Sequence, residues 1–382
     1  MQGFSKRVGE SGFSSVGVRI CAGALALLVL GAPGCRPRWS QDGKRLVFTA
    51  LEGKRQVFAV HDLESGKSRK LGAIEPNDGA ADLVWDRDGS QWVVASAEGS
   101  EDHIVRVYTL DWDGKEGESH LVNVGTRNVI STLHEPVVCG GKVFLTGSSI
   151  IRLDLATGEV SRGEADRSSV FPWNAGVGYV RDATGDWEIG ALDPETMAAK
   201  PWFQRPDDCD WQIVPHPRFD PAGDRCAVVG LRGEPTMALD TLEWAILILE
   251  EGRLISTIEL GGNMAAGPVA WVDAVTVCAT VKRPGDDHDT LALLETDFSG
   301  AVRHETPILR VPTNDRMIKN FGIQYVLKLP FFMEPSPSPD GSVIAFTTAK
   351  LPPLPDELSG LLLLRRRESR RVDRLPFEFE AK

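Results

Sequence analysis

The chain has 382 residues and a net charge of −12, with 42% hydrophobic and 25% charged side chains. That composition excludes a mostly disordered chain, a collagen-like chain and a polytopic membrane protein. With 38 Gly, 24 Pro and 10 Trp it suits many short strands joined by tight turns better than long helices.

Residues 20–35 carry no charge and follow Lys6, Arg7 and Arg19. Their apolar heart, Ile20–Leu30, is shorter than the ~20 residues a mature membrane-spanning helix needs. A basic lead, a short apolar run and a small-residue end predict a secretory signal over residues 1–34. The alternatives are ordinary cleavage nearby or a single N-terminal anchor helix. The segment ends Ala32-Pro33-Gly34-Cys35, which resembles a bacterial lipobox except that Ala32 stands where the pattern has Leu. The resemblance implies a lipidated Cys35 at the head of a mature chain, 35–382, held at a membrane surface by acyl groups. Residues 1–34 hold Lys6, Arg7 and Arg19 against Glu10, so their removal takes the net charge from −12 to −14. Such a surface repels phosphate backbones, which excludes nucleic acid as a partner. It also gains little from anionic lipid headgroups.

A repeat begins directly after Cys35. Residues 37–49 read as two strand-like pieces around the tight turn Asp42-Gly43. The unit returns at 83–96, 217–230 and 335–348, and in weaker form at 136–147, 170–182 and 268–281. Each copy is followed by a second hairpin: 57–71, 106–122, 150–163, 187–202, 245–260, 291–309 and 361–375. The turn centres fall near 42, 88, 140, 176, 223, 273 and 340. Their spacing averages close to the ~40–50 residues expected per propeller blade. Two hairpins make a four-stranded sheet, and a ring of such sheets covers every apolar face. The predicted fold is therefore all-β, a single β-propeller of seven four-stranded blades, with six or eight as the alternatives. The tail Pro376-Phe377-Glu378-Phe379-Glu380 alternates like an edge strand and would either pair beside the first blade or fray.

Trp39-Ser40, Asp42-Gly43 and Phe48 in the first repeat, Asp62-Leu63-Glu64-Ser65-Gly66 in its second turn, and Pro337-Ser338-Pro339-Asp340-Gly341 with Phe346 in the last repeat resemble the TolB-type, WD-like propeller repeat. The resemblance covers residues 37–375 at repeat level. It implies the fold and an extracytoplasmic habit, and it names no substrate.

Catalytic signatures are sparse. There is no G-x-S-x-G, no G-x-x-x-x-G-K-[ST] and no H-E-x-x-H. The blades consume 37–375, which leaves no room for an attached hydrolase domain. Carboxylates crowd the connections on one face, at Glu75, Asp78 and Asp82, at Glu98, Glu101, Asp102 and His103, and at Asp207, Asp208 and Asp210. The run Asp286-Asp287-His288-Asp289 offers oxygen ligands and one imidazole, so it is the candidate for a divalent cation; the bland alternative is a solvated acidic loop. No other cofactor is expected. Trp211, beside Asp207, Asp208 and Asp210, is the candidate sugar-stacking ring. Residues 310–334 form the longest insertion, with Phe321, Tyr325, Phe331, Phe332 and Met333; it is either a partner-binding lid over the channel or a plug packed onto the ring. Met237 and Trp244 would extend that surface. Trp39, Trp85, Trp173 and Trp271 recur at one repeat position and are assigned to structure. Arg365, Arg366, Arg367, Arg370 and Arg371 read as solvated charge on an outer hairpin. Cys139, Cys226 and Cys278 lie in or beside apolar runs, so buried thiols are expected.

The reading that follows is a non-enzymatic propeller of the cell envelope that binds a protein or peptide partner. The alternatives are a hydrolase or lactonase using channel carboxylates and a divalent metal, and a glycan-binding propeller.

Overall fold

A computed structural model of the chain describes residues 36–377 apart from 53–54, 74–80, 86–90, 98–103, 126–135, 148, 167, 174–175, 184–185, 215, 234–242, 262–264, 286–287, 313–332 and 349–359. Among the described residues every regular element is a β-strand, and no helix is long and apolar enough to cross a membrane. The strands form seven antiparallel sheets: 38–73, 81–123, 137–166, 168–204, 212–260, 265–312 and 336–375. These are blades 1 to 7, each made of four strands in chain order. In blade 5 the first strand is split into Gln212–Ile213 and Arg218–Phe219, both paired to Arg225–Arg232. The intervening Val214-Pro215-His216-Pro217 carries two prolines, which have no N–H to give a ladder.

Burial follows position in the blade. The third strand of blade 5, Glu243–Glu250, is buried from Trp244 to Leu249, as a strand covered on both faces must be. Its neighbour, the outermost strand Arg253–Leu260, alternates exposed and covered positions. First strands of neighbouring blades approach one another and are short in several blades, two residues in Arg38–Trp39 and Ser336–Pro337. They ring the central channel.

The repeated turns share one construction. Ser40 donates its hydroxyl to the Asp42 carboxylate (2.6 Å) and receives the N–H of Arg45 (2.9 Å), while Gly43 takes φ +68°. Blade 7 repeats this with Ser338, Asp340 and Val343, and Gly341 at φ +64°. A Cβ on Gly341 would sit 2.5 Å from the Val272 carbonyl of blade 6, so this turn also sets how closely two blades approach.

Blades are joined by side chains. Core clusters span neighbouring sheets, as where Ile246 and Ile248 of blade 5 meet Val277 and Ala279 of blade 6. At the outer ends a residue of one blade reaches the last turn of the next. Arg45 lies over the Trp112 ring (5.0 Å to the centroid), Lys142 pairs with Glu195 (2.7 Å), and Arg225 lies over Phe298 (4.6 Å). At the junction of blades 6 and 7 the polarity is reversed. Glu295 of blade 6 is wholly buried, and Arg366 (2.7 Å) and Arg370 from the last turn of blade 7 close on its two oxygens. This corrects the reading of the blade 7 arginine run as solvated charge: two of its members are a clasp between blades.

Among the described residues the ring closes without exchanging a strand. Blade 1 is built wholly from the start of the described chain and blade 7 wholly from its end. Across the seam Trp39 donates its indole N–H to the Ser336 carbonyl (2.8 Å), Ser336 its hydroxyl to Pro37 (2.5 Å), and Thr347 its hydroxyl to Thr49 (2.8 Å). Leu46, Phe48 and Ala59 pack with Ala345, Leu361 and Leu363. Of the tail, Phe377 stacks on Phe48 at 6.3 Å; residues 378–382 lie outside the described residues.

Candidate functional site

The channel carries a charged cluster that joins three distant parts of the chain. Glu334, just ahead of the first strand of blade 7, is 7% exposed. Its Oε1 accepts from Nη2 of Arg218 in blade 5 (2.5 Å) and lies 3.6 Å from Nη1 of Arg36. Arg218 is itself buried. A carboxylate removed from water in this way is stable only because cations face it. Beside the cluster lies a cavity of about 310 Å³, walled by Arg36, Pro172, Arg218, Phe219, Asp220 and Pro221. The Asp220 carboxylate is taken up by the backbone N–H groups of Gly223, Asp224 and Arg225, so it shapes the turn. Phe219 stacks on Trp173 (4.4 Å) and meets Trp202 edge-on (5.1 Å), which stiffens the apolar wall. Guanidinium groups against a rigid aromatic and proline surface can orient a polar or anionic group of a bound partner.

The sequence candidates distribute as follows. Asp207 and Asp208 are exposed in the connection ahead of blade 5. Asp210 is exposed and lies 3.5 Å from Arg232. Hydrogen bonding to Glu243, with Asp210 nearby, pushes the Arg232 pKa up. Trp211 is only 4% exposed, in the core between blades 4 and 5, with Arg232 over its ring at 4.5 Å. The structure thus places Trp211 where no sugar can stack on it. Trp244 is likewise core and extends no surface. Asp289 is buried and lies 3.2 Å from the buried Lys282 ammonium, so a cation already occupies its side. His288 is half-buried at the start of the same strand, and Asp286 and Asp287 lie outside the described residues. Among the described residues no group of three His, Cys, Asp or Glu is placed to hold a metal ion. Cys35, Phe321, Tyr325, Phe331 and Phe332 lie outside the described residues, as do Glu75, Asp78, Glu98, Glu101, Asp102, His103 and Met237. The end of the insertion is described: Met333 is fully buried between blades 6 and 7, and its carbonyl accepts from Thr280 (2.6 Å). Cys139, Cys209, Cys226 and Cys278 are free and buried; burial pushes the Cys278 thiol to about 12.

Arg36, Arg218 and Glu334 were not singled out by the sequence. A signal existed: Pro37-Arg38-Trp39 and Pro217-Arg218-Phe219 hold an arginine at one repeat position.

No family model matches the chain. Over 48 residues it is 42% identical to the Tol-Pal system protein TolB of Actinobacillus pleuropneumoniae serotype 5b, a stretch of 13% of this chain and 11% of that relative. This short match falls on a chain whose described strands all form a seven-bladed ring. The described residues form a seven-bladed β-propeller, and the chain carries one stretch similar to TolB. It spans about a tenth of the length of the TolB relative it matches. The fold is shared with a chain of the mitotic checkpoint complex, with a TM-score of 0.51, 14% identity and coverage of 84% of each chain. It is shared too with a candidate 6-phosphogluconolactonase from Bacteroides uniformis, with a TM-score of 0.51, 13% identity and coverage of 86% and 94%. At such identities the likeness concerns the fold alone.

Proposed function

We propose that this TolB-like propeller is an exported, non-enzymatic scaffold of the cell envelope that binds a protein or peptide partner. The observation that carries the reading is the cavity beside the channel, where Arg36 and Arg218 stand against Pro172, Phe219 and Pro221. A rigid ring presenting such a surface is a recognition design. The basic lead and short apolar run before Cys35 support export, and the lipobox resemblance supports a lipid anchor on Cys35.

The test is a pull-down from envelope extract with the mature protein, with Arg36→Glu, and with a deletion of 313–332 that leaves the anchored Met333 and Glu334 in place. A partner retained by the intact protein and lost with Arg36→Glu is the expected result. Stoichiometric divalent metal in the purified protein, lost on Asp289→Ala, would replace this reading with the hydrolase one. For the anchor, acyl labelling is expected in the intact chain and absent in Cys35→Ser. Full-length chain, with residues 1–34 attached, in the cytosol would end the export reading.

A further inference from the structure

Blade 1 starts without slack. Only Arg36 and Pro37 separate Cys35 from its first strand, Arg38–Trp39. Both are fixed to the start of blade 7: Arg36 faces the buried Glu334 (3.6 Å), and the Pro37 carbonyl accepts the Ser336 hydroxyl (2.5 Å). Successive Cα atoms are about 3.8 Å apart, so covalent geometry alone keeps Cys35 within one residue of this clamp. Chain direction tells which end of the ring it is. Arg38–Trp39 runs toward the Asp42-Gly43 turn, so Arg36 stands at the opposite end, the channel mouth, where Glu52 pairs with Arg55. The same end carries Asp186 of blade 4, opposite Ala183, and Asp208 in the connection ahead of blade 5. Arg36 is also set below the rim of that mouth. Arg38 pairs with Val47, and the second strand runs on to Glu52. Carried back two residues, the antiparallel register places Arg36 level with Thr49, so the rim stands beyond it by roughly 10 Å of strand rise.

We infer that acylation of Cys35 seats the ring directly on the lipid bilayer, with the channel mouth in the headgroup layer and the Asp-Gly turns pointing away. The headgroup layer is only about 5–7 Å deep on each side of the hydrocarbon. Acyl chains attached inside the mouth therefore reach hydrocarbon only when the rim enters that layer. The short tether imposes this pose without help from charge, since the acidic surface gains little from lipid headgroups. A partner of the anchored ring approaches from the turn end, where Asp220 and Pro221 wall the channel cavity. The inference rests on the reading of Cys35 as acylated and adds the pose, which that reading leaves open.

The test uses acylated protein purified from membranes and reconstituted into neutral phosphatidylcholine vesicles whose headgroups carry a contact quencher. Cys139, Cys209, Cys226 and Cys278 are buried, so a fluorophore can be placed on single introduced cysteines. Asp186→Cys and Asp208→Cys mark the mouth end; Ala156→Cys and Ala222→Cys mark exposed turns at the other. All four lie outside blade 1, so they report the face and not the anchor. An eight-residue strand such as Arg45–Glu52 spans about 27 Å, which keeps the turn labels out of quencher contact. Quenching is expected at 186 and 208 and absent at 156 and 222. An insert of about 20 Gly and Ser residues between Cys35 and Arg36, with a mean reach of about 25 Å, is expected to abolish quenching at 186 and 208 while the protein stays on the vesicles. Equal quenching at both ends, or quenching at the turns alone, overturns the pose. Mouth quenching that survives the insert overturns the short tether as its cause. A chain that carries no acyl group and does not sediment with vesicles ends the anchor reading itself, and the pose with it.

Discussion

Trp39 and Trp271 end the first strands of blades 1 and 6, and each gives its indole N–H to the preceding blade, Trp39 to Ser336 and Trp271 to Arg218 (both 2.8 Å). Their recurrence in the repeat was legible because the register is local. Their partners were not, since Ser336 lies 297 residues from Trp39 and only the ring brings the two together. Trp39→Phe keeps a ring in the slot but leaves a buried carbonyl unpaired, so a loss of about 1–3 kcal/mol is expected in chemical denaturation. Titration offers a second test. His61 is buried, and burial holds its pKa below the ordinary value, with Arg365 adding to the effect and Asp62 opposing it. The unfolded imidazole takes up a proton near pH 6.5 that the folded one refuses, so stability falls as the pH drops below about 6.5. Denaturation curves at about pH 7.5 and 5.5 should separate, and His61→Gln should bring them closer. The turn carboxylates act lower on the scale. Asp340 is held at about 2, first by the Ser338 hydroxyl and then by Ser342, so its contribution is lost as the pH falls from about 4 towards 2.

The hairpin is the element in which most of the fold could be read. Asp-Gly turns and runs such as Leu361–Leu364 are short-range features, and they recur often enough to give the blade number. Charged residues were harder, because their meaning depends on the neighbouring blade. Arg366 and Arg370 read as exposed from their own hairpin, yet both close on Glu295 in another. Trp211 was misleading for the same reason: its acidic neighbours are exposed, but its own ring turns into the seam. The Glu295 clasp gives a sharp prediction. Glu295→Ala leaves two guanidinium groups against an empty, dry slot and should cost about 3–5 kcal/mol in urea denaturation. Replacing Glu295, Arg366 and Arg370 together by Leu, Met and Met should recover most of that loss, because the uncompensated charge goes too. A triple variant no more stable than Glu295→Ala would show that the clasp holds the blades by more than charge balance.

At the scale of the molecule the closing seam is the junction that, among the described residues, no hydrogen-bonded strand crosses from blade 7 to blade 1. It is held by Trp39, Ser336 and Thr347, by the shared core of blades 1 and 7, and by Phe377 on Phe48. Phe377→Ala should raise amide exchange in blades 1 and 7 while leaving blades 3 to 5 protected. Equal deprotection all round would mean that the ring opens as one unit. The cluster of Arg36, Arg218 and Glu334 works against such opening, since it ties the entrance of blade 1 to blades 5 and 7 across the channel.

A ring whose every sheet comes from one uninterrupted stretch of chain has no privileged starting point. Duplicating or losing a whole hairpin pair would alter its circumference without rethreading anything, and a rearranged gene beginning at another junction would encode the same circle. Inheritance could thus retune such a molecule by adding or dropping sectors, with the faces that meet at the join as the main thing to refit.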